Sequence, residues 1–183
     1  MVKKQTIREA SFNFRDEVIS VGSKFYKKEE LERLRLCLQC GKCSGGCPSG
    51  RRTLWRIRKI LEETSLGLKD QVFSDDTLWN CTTCYTCQER CPRGIPITDI
   101  VRVIRNLSVK SGRIKDSHKK ICRSLIMSGH AVPINDEIKG VRKELGLDEI
   151  PPTVLSQPEG LKEVQEILKK TGFQMFIEEG QKK

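Results

Sequence analysis

Eight of the nine cysteines fall in two runs, CLQCGKCSGGCPSG at residues 37–50 and CTTCYTCQERCPRG at residues 81–94. In each run the four cysteines are separated by two, two and three residues, and a proline follows the last. Thiolates are soft ligands suited to zinc and to iron-sulfur clusters. Three of them at i, i+3 and i+6 can wrap three corners of one compact object, because each intervening pair of residues lets the chain turn and aim its amides inward. In a C-x2-C-x2-C-x3-C-P run the last cysteine ligates the other of two iron-sulfur cubes. Applied here, that rule gives one 4Fe-4S cluster to Cys37, Cys40, Cys43 and Cys91 and a second to Cys81, Cys84, Cys87 and Cys47. Pro48 and Pro92 fit the arrangement, since proline fixes φ near −65° and leads the chain away into a following helix. A structural zinc site more often offers two C-x2-C pairs separated by a long loop, four ligands in all, and matches this pattern poorly.

The residues between the cysteines differ in the two runs. Gly41, Gly45 and Gly46 are expected to let the first loop pass close to sulfur. Thr82, Thr83, Tyr85 and Thr86 put hydroxyls in the second, where they can bond sulfur or simply face water. Lys42, Arg51, Arg52, Arg90 and Arg93 flank the ligands as cations that raise a cluster's potential, form a docking rim or are merely solvated. Cys122, among Ile121, Leu125 and Ile126, is expected to act as a small hydrophobe, and His118 and His130 have no partner spacing. The chain has no G-x-G-x-x-G loop, no G-x-x-x-x-G-K-[ST] loop and no H-E-x-x-H site, so no catalytic residue is expected and electron transfer is the leading chemistry.

Elements must hold the two runs in register. A shift of 44 residues superimposes all four cysteines, Pro48 on Pro92, Gly50 on Gly94, Leu34 on Leu78, Ile57 on Val101, Arg58 on Arg102 and Ile60 on Ile104. Two similar halves related by a pseudo-twofold are expected. After the first run, Leu54, Ile57, Ile60 and Leu61 form an apolar stripe with Ser49 as cap and Gly67 as stop. After the second, Ile100, Val101, Ile104 and Leu107 repeat it with Thr98 as cap and Gly112 as stop. Helices are also expected before each run, with Ser74 or Asp75 capping the second. The fold class is mainly α: a two-cluster helical domain over 31–128, an N-terminal arm over 1–30 and a C-terminal helical extension over 129–183. Around Ile7, Phe12 and Phe14 the arm suits a short strand or hairpin, or an extended segment on a partner. Near the C-terminus, one helix closes at Gly129, and another carries Leu161, Val164, Ile167 and Leu168 on one side.

With 183 residues, 37% of them apolar and only ten aromatic, the chain has a thin hydrophobic core, so a cofactor or partner is expected to add stability. The formal charge is +10, which two clusters with their thiolates lower to about +6. That weakens nucleic acid as a partner, and none is expected; a nucleic-acid-binding protein with structural clusters remains the reading from another class. No stretch reaches the roughly 18 to 20 apolar residues of a membrane span and the start has no signal-type core, so a cytoplasmic protein without membrane contact is expected. An odd cysteine count without a secretory signal argues against a disulfide scaffold.

The two runs, as LCLQCGKCSGGCP and WNCTTCYTCQERCP, stand 33 residues apart between Cys47 and Cys81 and are flanked by helices. This resembles the α-helical ferredoxin module of respiratory enzymes and, more narrowly, the family of iron-sulfur C subunits of heterodisulfide reductase in methanogenic archaea. The resemblance implies a non-catalytic electron-transfer subunit of an oxidoreductase complex. Its partners would be a flavin-containing A subunit and a catalytic B subunit that reduces the disulfide of coenzyme M and coenzyme B. A hydrogenase and flavin-based electron bifurcation belong to the same picture. This chain has no Cys-Cys-Gly motif of the catalytic subunits, which agrees with a relay role. An iron-sulfur subunit of a fumarate reductase-like or glycolate oxidase-like complex is the runner-up.

Overall fold

The computed structural model describes residues 13–178. Among them are twelve α-helices and three 3-10 turns, with no β-strand. The chain divides after Arg113 into two compact units.

The first unit opens with α1 (Phe14–Gly22), a helix where a strand or an extended arm was expected. Its apolar residues recur at helical spacing: Phe14, Val18 and Ile19 are buried, and Asp16 and Glu17 in the first turn complement the helix dipole. Ile7 and Phe12 lie outside the described residues. α1 packs on α2 (Lys28–Glu32) and on the long helix α8 (Ile97–Lys110). A Cβ at Gly22 would stand 2.8 Å from Leu31 and 3.1 Å from Val103, so the missing side chain permits that crossing. Phe14 meets Phe73 of α6 (Lys69–Ser74) edge to face at 5.4 Å, and Lys69 pairs with Glu17 at 2.7 Å.

The internal repeat is visible in the backbone. α3 (Lys42–Gly45) and α7 (Thr86–Glu89) occupy equivalent positions, as do the 3-10 turns Arg33–Leu36 and Asp76–Asn80 that lead into each cysteine run. Gln39 and Thr83 both have φ of +53°, and Gly41 and Tyr85 have +79° and +62°. Leu34 and Leu78 are each fully buried, as are Ile60 and Ile104. The twin elements α3 and α7 touch.

The helix expected from Ser49 onward is broken in two, α4 (Pro48–Arg52) and α5 (Ile57–Ser65). Thr53 is extended and its hydroxyl accepts from the Trp55 N–H at 3.2 Å, which ends the first turn of helix. The break sends Leu54 outward, 81% exposed, and buries Trp55 in its place. The arginine Arg56 holds the break by donating to the Gly50, Thr53 and Trp55 carbonyls. Gly67 and Gly112 close α5 and α8 with φ of +76° and +80°, as expected.

The second unit contains α9 (Asp116–Ser128), α10 (Asp136–Glu144), α11 (Pro158–Lys170) and α12 (Phe173–Glu178). α9 packs on α11 and α12, and Gln165 donates to the Ile126 carbonyl at 3.1 Å. Gly129 ends α9 in the left-handed region. In the first unit α1 and α2 contribute Phe14, Val18 and Leu31 to the core, and in the second α9 packs on the C-terminal helices.

Candidate iron-sulfur centre

Each cysteine run is a short extended step, a left-handed turn and one turn of helix. Cys37 and Cys81 leave their 3-10 turns with ψ of 117° and 123°. The left-handed residues at 39 and 41, and at 83 and 85, then reverse the chain so that α3 and α7 begin just before the third cysteine. Cys47 serves as N-cap of α4, its sulfur accepting from the Gly50 N–H at 3.3 Å. Ser49, expected to cap, instead donates its hydroxyl across the halves to the Asn80 carbonyl at 2.7 Å.

Two cavities result. The first is lined by Cys37, Cys40, Cys43 and Cys91, with Lys42, Arg58 and Arg93 also in its wall. The second is lined by Cys47, Cys81, Cys84 and Cys87 together with Trp55, Ile57, Tyr85 and Thr98. Thus all eight motif cysteines border one cavity or the other, and Cys122 lies in the other unit on α9, half-buried. Among the described residues no three or more Cys, His, Asp or Glu side chains close up around the position of a single ion. Three thiols of one run and the last thiol of the other around one space match the ligand pattern of a two-cluster iron-sulfur protein, which a zinc site of two C-x2-C pairs does not.

Burial divides the thiols. Cys43 and Cys47 are buried, whereas Cys40 and Cys84 are exposed, one at each cavity. Desolvation raises the Cys43 thiol, opposed by the Ser44 N–H. It pushes Cys87 up to about 11, opposed by the Thr98 hydroxyl 3.6 Å from its sulfur. The Cys84 thiol is lowered by Thr86, whose hydroxyl lies 3.4 Å from it. Of the inter-cysteine hydroxyls expected to reach sulfur, Thr86 and Thr82 do, both at Cys84. Thr83 bonds the Thr82 carbonyl instead, and the Tyr85 hydroxyl accepts from Arg102 at 3.0 Å. Thr98 is not the expected cap: α8 already starts at Ile97, so the buried Thr98 sits inside the first turn and faces Cys87.

Among the first-loop glycines only Gly41 needs its conformation. A Cβ at Gly45 would meet nothing within 4 Å, and one at Gly46 would strike the Arg90 guanidinium at 2.9 Å rather than sulfur. Arginines tie the halves together. Arg33 donates to the Gly94 carbonyl at 3.2 Å, and Arg93 reaches back to the Leu36 carbonyl at 3.4 Å. Arg105 donates to the Leu78 and Cys81 carbonyls and lies over the Trp79 ring, fastening the start of the second run. Its position in the repeat holds Leu61 in the first half, and that mismatch is the only signal in the sequence that could have marked it.

Residues 32–95 match the family described as a 4Fe-4S dicluster domain. Over 173 residues the chain is 48% identical to the iron-sulfur C subunit of the CoB--CoM heterodisulfide reductase of Methanopyrus kandleri, spanning 93% of this chain and 90% of that protein. It is 51% identical over 146 residues to the C subunit of the H(2):CoB-CoM heterodisulfide,ferredoxin reductase of Methanothermobacter marburgensis, spanning 80% and 79%. With the C subunit of the Ferredoxin:CoB-CoM heterodisulfide reductase of Methanosarcina mazei it shares 49% over 137 residues, 75% of this chain and 84% of that one. Similarity of this extent, over a helical frame that lines two cavities with cysteines, identifies the chain as a member of the family of heterodisulfide reductase C subunits.

Proposed function

We propose that this chain is the non-catalytic electron-transfer subunit of a cytoplasmic heterodisulfide reductase complex. In this reading Cys37, Cys40, Cys43 and Cys91 hold one 4Fe-4S cluster, and Cys81, Cys84, Cys87 and Cys47 hold the other. When bound, such clusters each take up and release one electron at a potential set by nearby charge and hydrogen bonds. The partners are a flavin-containing A subunit, a catalytic B subunit acting on the coenzyme M-coenzyme B disulfide, and a hydrogenase. The last draws support from a relative named for an H(2)-dependent reductase. The observation that carries the reading is the composition of the two cavities, each bordered by three cysteines of one run and the last cysteine of the other. The protein's part is to hold those thiols, keep apolar walls such as Trp55, Ile57 and Ile97 around them, and set the Thr86 and Thr98 hydroxyls beside the Cys84 and Cys87 sulfurs. No helix of the described residues is long and apolar enough to cross a membrane.

Electron paramagnetic resonance of reduced, anaerobically isolated variants tests the ligand sets. Cys47→Ser is expected to alter the signal of the cluster otherwise held by Cys81, Cys84 and Cys87, and Cys91→Ser the signal of the other. If each substitution perturbs only the cluster of its own run, the crossed assignment fails. Tagged chain isolated from its native cells should also bring down a flavoprotein and a protein with Cys-Cys-Gly motifs.

A further inference from the structure

The two halves repeat each other in thiol positions and backbone but not in charge. Residues 33–61 carry eight Lys or Arg and no Asp or Glu, whereas the equivalent residues 77–105 carry four Arg, one Asp and one Glu. The cavities inherit the contrast: Lys42, Arg58 and Arg93 line the first, and no charged side chain lines the second. All three cations are exposed, and none takes part in an ion pair among the described residues. The repeat makes the comparison direct at one position. Arg102 in the second half is held by the Tyr85 hydroxyl at 3.0 Å and faces Asp99 at 3.8 Å. Its counterpart Arg58 has no such partner, and its side chain runs past Gly41, the residue equivalent to Tyr85, into the wall of the first cavity. In the same wall Leu38 is 61% exposed, and Cys40 brings a ligand thiol to the surface.

Three like charges without a carboxylate partner on one small patch repel one another, and an opposing acidic surface converts that repulsion into attraction and faster encounter. An exposed leucine among them adds apolar contact that a purely solvated face has no use for. We propose that the mouth of the first cavity, formed by Leu38, Lys42, Arg58 and Arg93, is the docking face for the carboxylate-rich surface of an electron-carrying protein. The uncharged mouth of the second cavity, with Thr82 and Tyr85, meets its partner without charge steering. This rests on the ligand sets proposed above, since the patch has a purpose only if the first cavity holds a redox centre.

The test uses the full-length chain isolated anaerobically, with an acidic bacterial two-cluster ferredoxin as probe. Titration calorimetry at low and high ionic strength gives the affinity, and carbodiimide coupling, which joins an ammonium to a carboxylate, followed by peptide mapping gives the place. The expected results are a cross-link at Lys42, binding that weakens with salt, and a loss of about tenfold in affinity for the Lys42→Glu/Arg58→Glu double variant. Asn106→Glu on the exposed side of α8, away from both cavities, is expected to leave affinity unchanged. The docking proposal is overturned by absence of low-salt binding, by indifference to the double reversal or by an equal loss with Asn106→Glu. Tighter binding of a single-stranded DNA oligonucleotide to the same patch would overturn it as well. Iron and sulfide counts on the same samples separate the two levels. A wild-type chain without two clusters removes the ligand reading, whereas intact clusters with salt-insensitive binding remove only the docking face.

Discussion

Cys87 and Cys43 show at the scale of single residues how burial and ligand chemistry oppose each other. Desolvation holds both thiols protonated, Cys87 up to about 11 against an ordinary 9.0. A folded group that binds its proton more tightly than the unfolded one stabilises the fold below the unfolded value and loses that contribution as pH rises through the folded value. The metal-free chain is therefore expected to lose stability between pH 9.0 and about 11. Metal loading runs the other way, because it requires thiolates and releases protons. Urea unfolding of the metal-free chain across this range is the measurement, with Cys87→Val as control. A midpoint that falls equally in the control would assign the loss to other groups.

At the scale of elements, the second cysteine run depends on α8 more than the first depends on α5. Leu61 in α5 simply fills the core, 1% exposed, whereas Arg105 in α8 supplies donors to the two carbonyls that bracket the entry to Cys81. Such charge-assisted bonds contribute more than neutral ones, and removing the donor strands part-buried carbonyls. Arg105→Met is expected to lower the stability of the cluster-loaded protein by about 2 kcal/mol, read as a shift in denaturant midpoint. Arg105→Lys should recover only part of it, since one ammonium cannot repeat the planar fork that reaches both carbonyls. An unchanged midpoint in the methionine variant would mean that water satisfies those carbonyls as well.

For the whole molecule, every residue bordering the two cavities belongs to the first unit, which ends at Arg113. Its core includes Phe14, Val18 and Leu31 from the N-terminal helices as well as Ile97, Ile100 and Ile104 from α8. A chain ending at Arg113 is expected to retain full iron and sulfide content, whereas one starting at residue 31 is expected to lose it through loss of α1. The second unit carries many of the large exposed apolar side chains, including Met127, Val141 and Leu145, and none of the motif cysteines. Iron analysis of the two truncations decides whether the first unit suffices.

The thiol rhythm and the proline after each run were enough by themselves to point to iron-sulfur chemistry, and the apolar stripes to mainly helical halves, because ligand spacing and helical periodicity are local properties. The helix stops at Gly67, Gly112 and Gly129 were equally legible, since a left-handed residue ends a helix wherever it stands. What depended on three dimensions was not. Leu54 fits an apolar stripe by spacing yet faces water, because Thr53 breaks the helix and Trp55 takes the buried place. Thr98 looks like a cap and instead meets Cys87; Gly46 looks like clearance for sulfur and instead makes room for Arg90. Phe14 and Val18 look like part of an arm until α8 is there to receive them. Each of these outcomes depends on a neighbour distant in sequence, and only the packed chain chooses that neighbour.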